Sequence, residues 1–283
     1  MDQFSQSAPT WSVNDILTKA QQYNIAALSI TDHNTIEAYT EIEDRQDIYQ
    51  GKIVRGVEIA CIVNNSRIEI LGYAFQNPSI LDDWLREKYS PEKIKLFRKG
   101  EYERLLEKLH EYGVINNCNP VYANQIYLPH TAVFNEIKKY ESNAVFMSEK
   151  EWNDFVVFFR TATTNHQSKF FIDYTGLLPS VNEAAEIIKK ADGKVFLAHV
   201  YSYGIDNHIE FINTLRNSIV LDGIEVFYTN YTKEQTQTLC SYCMYNKLYM
   251  SGGSDSHGDK GSIKIGTGYG NLVVPDSIIE AWA

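Results

Sequence analysis

The stretch from Ser251 to Gly258 contains residue types that bind divalent metals. It reads Ser-Gly-Gly-Ser-Asp-Ser-His-Gly and follows a short apolar run that is typical of a buried strand. The two glycines allow the backbone to turn where a Cβ would clash. Asp255 and His257 are two residues apart, so in an extended segment both side chains project to the same side. A carboxylate and an imidazole at a strand end suit a hard or borderline metal ion, although a polar surface turn is the alternative interpretation.

Acidic residues and histidines also close, or lie within, other apolar runs of strand length. They are Asp32, His33, Glu58, Glu69 and His199. A buried glutamate costs several kcal/mol unless it is paired or bound to a cation. A cluster of divalent metals would supply that cation, because one carboxylate can bridge two ions. The alternative is a set of separate core residues, with each glutamate paired to Arg55 or Arg67.

The elements that must position these residues alternate between strand and helix. Ser12 and Ser180 are predicted to cap amphipathic helices, and apolar runs at 25–30, 53–59, 67–73, 194–199, 224–227 and 247–255 predict strands. Repeated units of this length favour a parallel (β/α) barrel over a sandwich. In such a barrel the carboxyl ends of the strands meet, so the fold would bring the distant acidic and histidine residues together.

The character of the sequence changes between about residues 80 and 165, where charged, helix-patterned segments replace strands. Leu105, Leu106 and Leu109 mark a buried stripe, and Leu128-Pro129-His130 opens a further helix. We interpret this block as a helical insertion over the barrel mouth. The whole chain, residues 1–283, is predicted to be one domain.

Composition excludes several classes of function. The net charge of −10 argues against long nucleic acid as a partner. No window approaches the roughly 18 apolar residues of a membrane span, and no signal peptide is visible. The four cysteines do not suggest a disulfide framework, and Cys240-x-x-Cys243 lacks the second pair that a zinc site needs. We expect a cytoplasmic protein with no membrane contact.

Taken together, these motifs resemble those of the polymerase-and-histidinol-phosphatase (PHP) family of metal-dependent phosphoesterases. The resemblance rests on Thr31-Asp32-His33-Asn34, Gly56-Val57-Glu58, the Ile-Leu-Gly-Tyr after Glu69, Leu197-Ala198-His199 and Gly253-Ser254-Asp255-Ser256-His257-Gly258. The motifs occur in the family's order over about residues 12–275, interrupted by the helical block. No single motif is specific for the family, but the set of motifs is.

The resemblance implies a distorted seven-stranded (β/α) barrel with two or three Mn, Fe, Zn or Mg ions at its mouth. It also implies hydrolysis of a phosphate ester of a small metabolite or nucleotide by metal-activated water. The metal ligands would be His33, Glu58, Glu69, His199, Asp255 and His257, with Glu58 as a bridge. Asp32 would orient a ligand, and His130 would contact metal or phosphate near the same pocket.

The resemblance is incomplete in two places. The family opens with a strand that ends in a His-x-His pair and an acidic residue, whereas this sequence has no histidine before His33. Asp2 is the candidate remnant of the acidic position, and we expect the first strand to be missing or truncated. Second, Glu69 stands where relatives usually carry histidine. Glutamate can still bind metal, but it favours harder ions such as Mn or Mg over Zn.

Three functions therefore stay open. The first is a metal-dependent phosphoesterase with a small phosphorylated substrate. The second is a metal-dependent amidohydrolase on a similar scaffold, for which a substrate-facing or carboxylated lysine on a strand would be the signal. The third is a catalytically decayed or truncated binding or regulatory protein, which the absent His-x-His pair favours.

Overall fold

The computed structural model describes residues 11–42, 47–119, 128–258 and 263–283. The expectation for Asp2 lies outside these residues. Within them the strands are β1 Ala27–Leu28, β2 Lys52–Ile53, β3 Gly56–Val63, β4 Ser66–Tyr73, β5 Lys194–Leu197, β6 Gly223–Tyr228 and β7 Tyr249–Gly253. The helices are α1 Val13–Gln22, α2 Ala38–Ile42, α3 Pro78–Lys88, α4 Pro91–Glu111, α5 Pro129–Ile137, α6 Glu149–Asn153, α7 Phe155–Val157, α8 Val181–Lys190, α9 His208–Ser218, α10 Lys233–Asn246 and α11 Asp276–Glu280.

The strands form a five-stranded sheet in the order β3-β4-β5-β6-β7 and a separate parallel pair, β1 and β2. A parallel bridge between His33 and Glu58 attaches the segment after β1 to β3. β5, β6 and β7 run parallel, whereas β4 is antiparallel to both of its neighbours. The fold is therefore mixed α/β, and no closed sheet is found among the described strands.

The expectation that all strands are parallel is wrong at β4, for a local reason. Asn64 and Asn65 form a two-residue connection with φ of 48° and 65°, and Val63 pairs with Ser66 on either side of it. Positive φ at both positions is the geometry of a tight hairpin turn, and asparagine tolerates it better than most residues. The chain after β3 therefore returns directly as β4 instead of crossing over through a helix. The run predicted as one strand over 53–59 is also divided into β2 and β3.

Helices α1 and α8 begin where their capping residues predict. Ser12 accepts a hydrogen bond from the backbone of Asp15, whose side chain accepts one in return, and Ser180 and Glu183 repeat this capping box. Helix α8 then packs its buried face against β3, β4 and β5. It thereby covers one side of the sheet that carries the candidate site.

The helical block lies where the sequence predicts it. It comprises α3 to α7 and a π-helical turn, Phe158–Ala162. Leu105 and Leu109 of α4 are fully buried, and α4 packs on α5. No helix in the described part of the chain is both long enough and apolar enough to span a membrane.

Candidate metal centre

Glu58 and Glu69 lie on the same face of the β3–β4 hairpin. The register pairs Glu58 with Leu71 and Ala60 with Glu69, so the two glutamates are diagonal neighbours. Both carboxylates are buried, at 5% and 6% exposure. The turn that reverses the chain thus places two negative side chains together in the interior.

His33 is held against this pair by the backbone of β3. Asn34 N donates to Glu58 O at 2.8 Å, and Glu58 N donates to Asp32 O at 3.2 Å. These bonds bring His33 Nδ1 to 3.2 Å from Glu58 Oε2 and 3.9 Å from Glu69 Oε1. Asp32 therefore anchors the segment through its carbonyl, and its predicted role as an orienting residue stays a prediction.

His199 follows β5 and reaches both glutamates from the other side. Its Nε2 lies 2.9 Å from Glu58 Oε1 and 3.2 Å from Glu69 Oε2. Its backbone N donates to Glu225 Oε2 at 2.9 Å, which fixes the turn at the end of β5. The imidazole is almost fully buried, and its Nδ1 has no hydrogen-bond partner among the described residues.

Positive charge in the cluster comes from His199 and two arginines. Burial and Arg160 disfavour the charged imidazole, yet hydrogen bonds to Glu58 and Glu69 raise the pKa of His199 to about 10. Burial alone would raise the pKa of Glu69, but Arg67, His199 and His33 hold it well below its ordinary value. Arg67 Nη2 lies 2.8 Å from Glu69 Oε1. The Glu69 carboxylate is therefore ionised, and it contacts several cationic groups.

Asp255 and His257 adjoin this cluster across the end of β7. Asp255 accepts a hydrogen bond from the Tyr228 hydroxyl at 2.8 Å, and His257 Nδ1 lies 3.0 Å from Asp255 O. The His257 and His33 rings are 6.3 Å apart between centroids. Asp255 has a φ of 50°, so the two side chains are brought together by a turn and not by an extended segment as expected.

The glycine at the end of β7 has a different role from the one predicted. A Cβ on Gly252 would lie 2.6 Å from Phe227 Cβ and from Phe227 O, at the irregularity where β6 bulges against β7. Gly252 therefore permits close approach of two strands, and the turn itself falls at Asp255.

The donor atoms fit a divalent metal. One atom each from His33, Glu58 and Glu69 lies within 4.8 Å of the others, and these atoms are one imidazole nitrogen and two carboxylate oxygens. Such a set suits Zn, Mn or Mg, with the oxygen majority favouring the harder ions. The contact between Arg67 and Glu69 limits how much of that carboxylate is available to a metal.

A cleft of about 440 Å³ opens onto the cluster. Its lining includes most of the residues that the sequence singled out, namely Asp32, His33, Glu58, His199, Asp255 and His257. Glu69 lies behind Glu58 and His33, in contact with the cluster but outside the lining. The structure thus brings five of the six predicted metal ligands to one opening, with Glu69 in contact with them but outside the lining.

His130 is the predicted site residue that this cleft does not include. It is buried in α5, with Nε2 3.1 Å from the Tyr174 hydroxyl and Nδ1 3.7 Å from Glu101 Oε1. Its ring packs edge-on against Phe159. Burial and Arg67 lower its pKa to about 3, so the imidazole is neutral. The structure places it in a buried polar group between helices, and its predicted contact with metal or phosphate stays a prediction.

Sequence reasoning missed two residues of the site. Glu225 lines the cleft, and burial raises its pKa to about 8. It lies in the apolar run Ile224–Phe227, the same signal that identified Glu58 and Glu69, so it could have been found. Arg160 lies in the π-helical turn of the helical block, with Nη2 3.8 Å from Asp255 Oδ2. No local pattern in the sequence indicated that it reaches the site.

No protein-family model and no curated protein sequence matches this chain. Among solved structures, it is similar to a candidate metal-dependent phosphoesterase from Bifidobacterium adolescentis, with a TM-score of 0.60 and 18% identity over 96% of this chain and 90% of that one. It is also similar to an amidohydrolase from Chromobacterium violaceum, solved with bound sulfate and no metal. There the TM-score is 0.61 and the identity 18%, over 96% and 89% of the two chains. At this identity the likeness shows the fold, which this chain shares with both proteins.

Proposed function

We propose that this chain is a metal-dependent phosphoesterase that hydrolyses a phosphate ester of a small molecule. The observation that carries the proposal is the group of His33, Glu58 and Glu69 donor atoms at a cleft, with Arg160 beside it. Carboxylates and imidazoles supply metal ligands, and a guanidinium supplies recognition of a phosphoryl oxygen. The likeness in fold to a candidate metal-dependent phosphoesterase supports the same function.

The metal would be held first by His33 and Glu58, with Glu69 as a weaker third ligand because Arg67 occupies one of its oxygens. Asp255, His257 and His199 are the proposed ligands of a second ion, and Glu58 lies where it could serve both. Divalent ions bound here would activate water and neutralise charge on the phosphoryl oxygens. We propose Mn or Mg in preference to Zn at the first site, because two of its three donor residues, Glu58 and Glu69, are carboxylates.

Arg160 is the proposed contact for the phosphoryl group. Its Nη1 is buried and has no acceptor in the described part of the chain, while its Nη2 lies beside Asp255. Burial disfavours the charged guanidinium, but Tyr228, Glu69 and Asp255 raise its pKa, so Arg160 stays protonated. A buried donor without an acceptor is costly, and a phosphate oxygen would satisfy it. The sulfate bound to the neighbouring amidohydrolase structure is an anion of the same shape.

His257 is the proposed proton donor to the leaving oxygen when it is not bound to metal. Its side chain is half exposed and lines the cleft, so it can contact both substrate and solvent. His199 is less suited to this role, because its Nε2 is enclosed between Glu58 and Glu69. Geometry thus separates a buried histidine, held between two carboxylates, from an accessible one.

An amidohydrolase is the second candidate function, because one structure of the same fold carries that description. The expected signal for it, a lysine facing the substrate, is not found among the described residues that line the cleft. Hydrolysis of a generic amide in the assay below, without hydrolysis of phosphate esters, would favour this alternative.

The test combines metal content with turnover of phenyl phosphate in added Mn, in the parent protein and in Arg160→Met. We expect bound metal in both proteins and a rise in KM of roughly tenfold or more in the variant, since a charge-assisted contact is lost. Arg86→Met, at an exposed arginine of α3, is the matched control and should behave as the parent. A parent protein that binds no metal and hydrolyses no phosphate ester would refute the proposed function.

A further inference from the structure

The cleft continues well beyond the metal centre. Residues 24–33 and 252–258 all line it, and so do Val274, Pro275, Asp276 and Ile279. Most of these residues are not candidate metal ligands. A cleft of about 440 Å³ is within the usual range of small-molecule sites and far larger than one phosphoryl group. Most of the space is therefore available to the remainder of the substrate.

One group of side chains that lines the cleft is apolar, and we call it the apolar wall. Its side chains come from α1 and the residue segment before it, from the segment around β1 and from the segment that contains α11. They include Trp11, Ile16, Ile25, Ile30, Val274 and Ile279. These side chains stabilise an apolar group by removing its surface from water.

The charge of the lining is one-sided. Among the described residues that line the cleft there is no lysine or arginine, whereas five carboxylates do so: Asp32, Glu58, Glu225, Asp255 and Asp276. Metal ions at the metal centre would offset the negative charge of the nearest carboxylates. Asp276, which is close in sequence to Val274 and Ile279, also lines the cleft, so a second anionic group on the substrate would meet additional negative charge.

We propose that the substrate is a phosphate monoester whose leaving group is a large apolar or aromatic moiety without a second anionic group. This inference rests on the proposed function and adds the chemical class of the leaving group. The phosphoryl group lies at the metal centre near Arg160, and the leaving group extends along the apolar wall toward Val274 and Ile279. Nucleoside polyphosphates and sugar bisphosphates are poor substrates on this assignment.

The test is a binding series that does not depend on turnover. Phenylphosphonate, 4-butylphenylphosphonate and 4-carboxyphenylphosphonate are titrated into the full chain in excess Mn, and heats of binding are recorded. The three share one phosphoryl group and differ only in the distal substituent. We expect the butyl compound to bind roughly tenfold or more tightly than phenylphosphonate, since buried methylenes add affinity, and the carboxy compound to bind more weakly.

Two adjacent valines provide a matched pair of variants. Val274 lines the cleft, whereas Val273 is 76% exposed and is not part of the lining. Val274→Asp should remove most of the preference for the butyl compound over phenylphosphonate. Val273→Asp adds the same charge one residue away and should change neither affinity.

The possible results separate the two proposals. Equal binding of the butyl and phenyl compounds, or tighter binding of the carboxy compound, would overturn the leaving-group assignment and leave the phosphoesterase proposal standing. Binding of none of the three would overturn both. A parallel assay of the corresponding aryl phosphates reports separately on hydrolysis. Tight binding of the butyl phosphonate without hydrolysis of the butyl phosphate would refute the proposed function and leave only the binding preference for an apolar group.

Discussion

Glu58 connects the two histidines that approach the site from different elements. Its Oε1 lies 2.9 Å from His199 Nε2, and its Oε2 lies 3.2 Å from His33 Nδ1. A carboxylate with both oxygens directed to separate partners is placed as a bridging metal ligand would be. Because it is buried at 5% exposure, its charge must be compensated by the surrounding imidazoles or by metal.

Replacing Glu58 with glutamine should therefore weaken metal binding while preserving side-chain volume. One carboxylate oxygen becomes an amide NH₂, which cannot ligate, and the negative charge is lost. We expect at least about tenfold weaker binding of Mn by titration calorimetry, together with lower metal content by elemental analysis. Glu186→Gln, at a largely exposed position of α8, is the control. Unchanged stoichiometry and affinity in E58Q would show that Glu58 is not a ligand.

At the scale of residues, the sequence was informative where a charged side chain interrupts an apolar strand. That signal identified Glu58, Glu69 and His199, which the structure joins through contacts of 2.9 and 3.2 Å. Glu225 also interrupts an apolar strand, and it is likewise buried at the cleft. Arg160 could not be predicted, since its approach to Asp255 depends on the path of a π-helical turn through the folded block.

The helical block contains a buried polar group of its own. Glu101 of α4 is 3% exposed and lies 3.7 Å from His130 of α5, which in turn contacts Tyr174. Burial raises the pKa of Glu101 to about 7, only partly offset by Arg67. A carboxyl group in this position retains its proton well above the pH at which it would ionise in the unfolded chain.

This arrangement predicts a stability that falls as pH rises. The pKa of Glu101 is 4.5 when unperturbed and about 7 in the folded protein, so the stability contribution is complete below pH 4.5 and is lost as pH rises through 7. The loss is of order 3 kcal/mol at 1.36 kcal/mol per pKa unit. Urea denaturation at pH 5 and pH 8 should show a smaller decrease in Glu101→Gln than in the parent.

The stability contribution of His130 changes with pH in the opposite direction and does not confound that comparison. Its pKa is 6.5 when unperturbed and about 3 in the folded protein, so its contribution is lost as pH falls from 6.5 toward 3. The parent and E101Q share this histidine, so the difference between their pH profiles reports on Glu101. Parallel profiles for the two proteins would contradict the assignment of a protonated, buried carboxyl group.

At the scale of elements, the helix starts were predictable and the strand pairing was not. Ser12 and Ser180 determine where α1 and α8 begin through contacts within one turn, so a short window of sequence contains the cause. The direction of β4 depends on a tight turn at Asn64 and Asn65, and two adjacent asparagines between apolar runs are the local sequence signal for such a turn. Pairing of β4 with β5 joins residues more than a hundred positions apart, which no local pattern specifies.

At the scale of the whole molecule, the segment containing α11 packs against the inner surface of the sheet. Trp282 contacts Tyr73 of β4 and Phe196 of β5, with ring centroids 5.2 and 4.9 Å apart. Its indole N–H donates to Met250 O of β7 at 2.8 Å. One side chain thus joins three strands of the sheet, a role that its position in the sequence did not indicate. Ile279 of the same helix lines the cleft, so this packing also positions part of the apolar wall.

Replacing Trp282 with alanine should destabilise the fold and loosen the cleft together. The ring is 8% exposed, and truncation of a buried aromatic side chain costs about 3–5 kcal/mol. Trp282→Phe keeps much of the packing but loses the hydrogen bond to Met250, so we expect a smaller loss of about 1–2 kcal/mol. Denaturant unfolding measures both losses, and Trp152→Ala, at a half-buried tryptophan of the helical block, is the control. A loss in W282A no greater than that in W152A would contradict the anchoring role, because a buried side chain that joins three strands must stabilise more than a partly buried one.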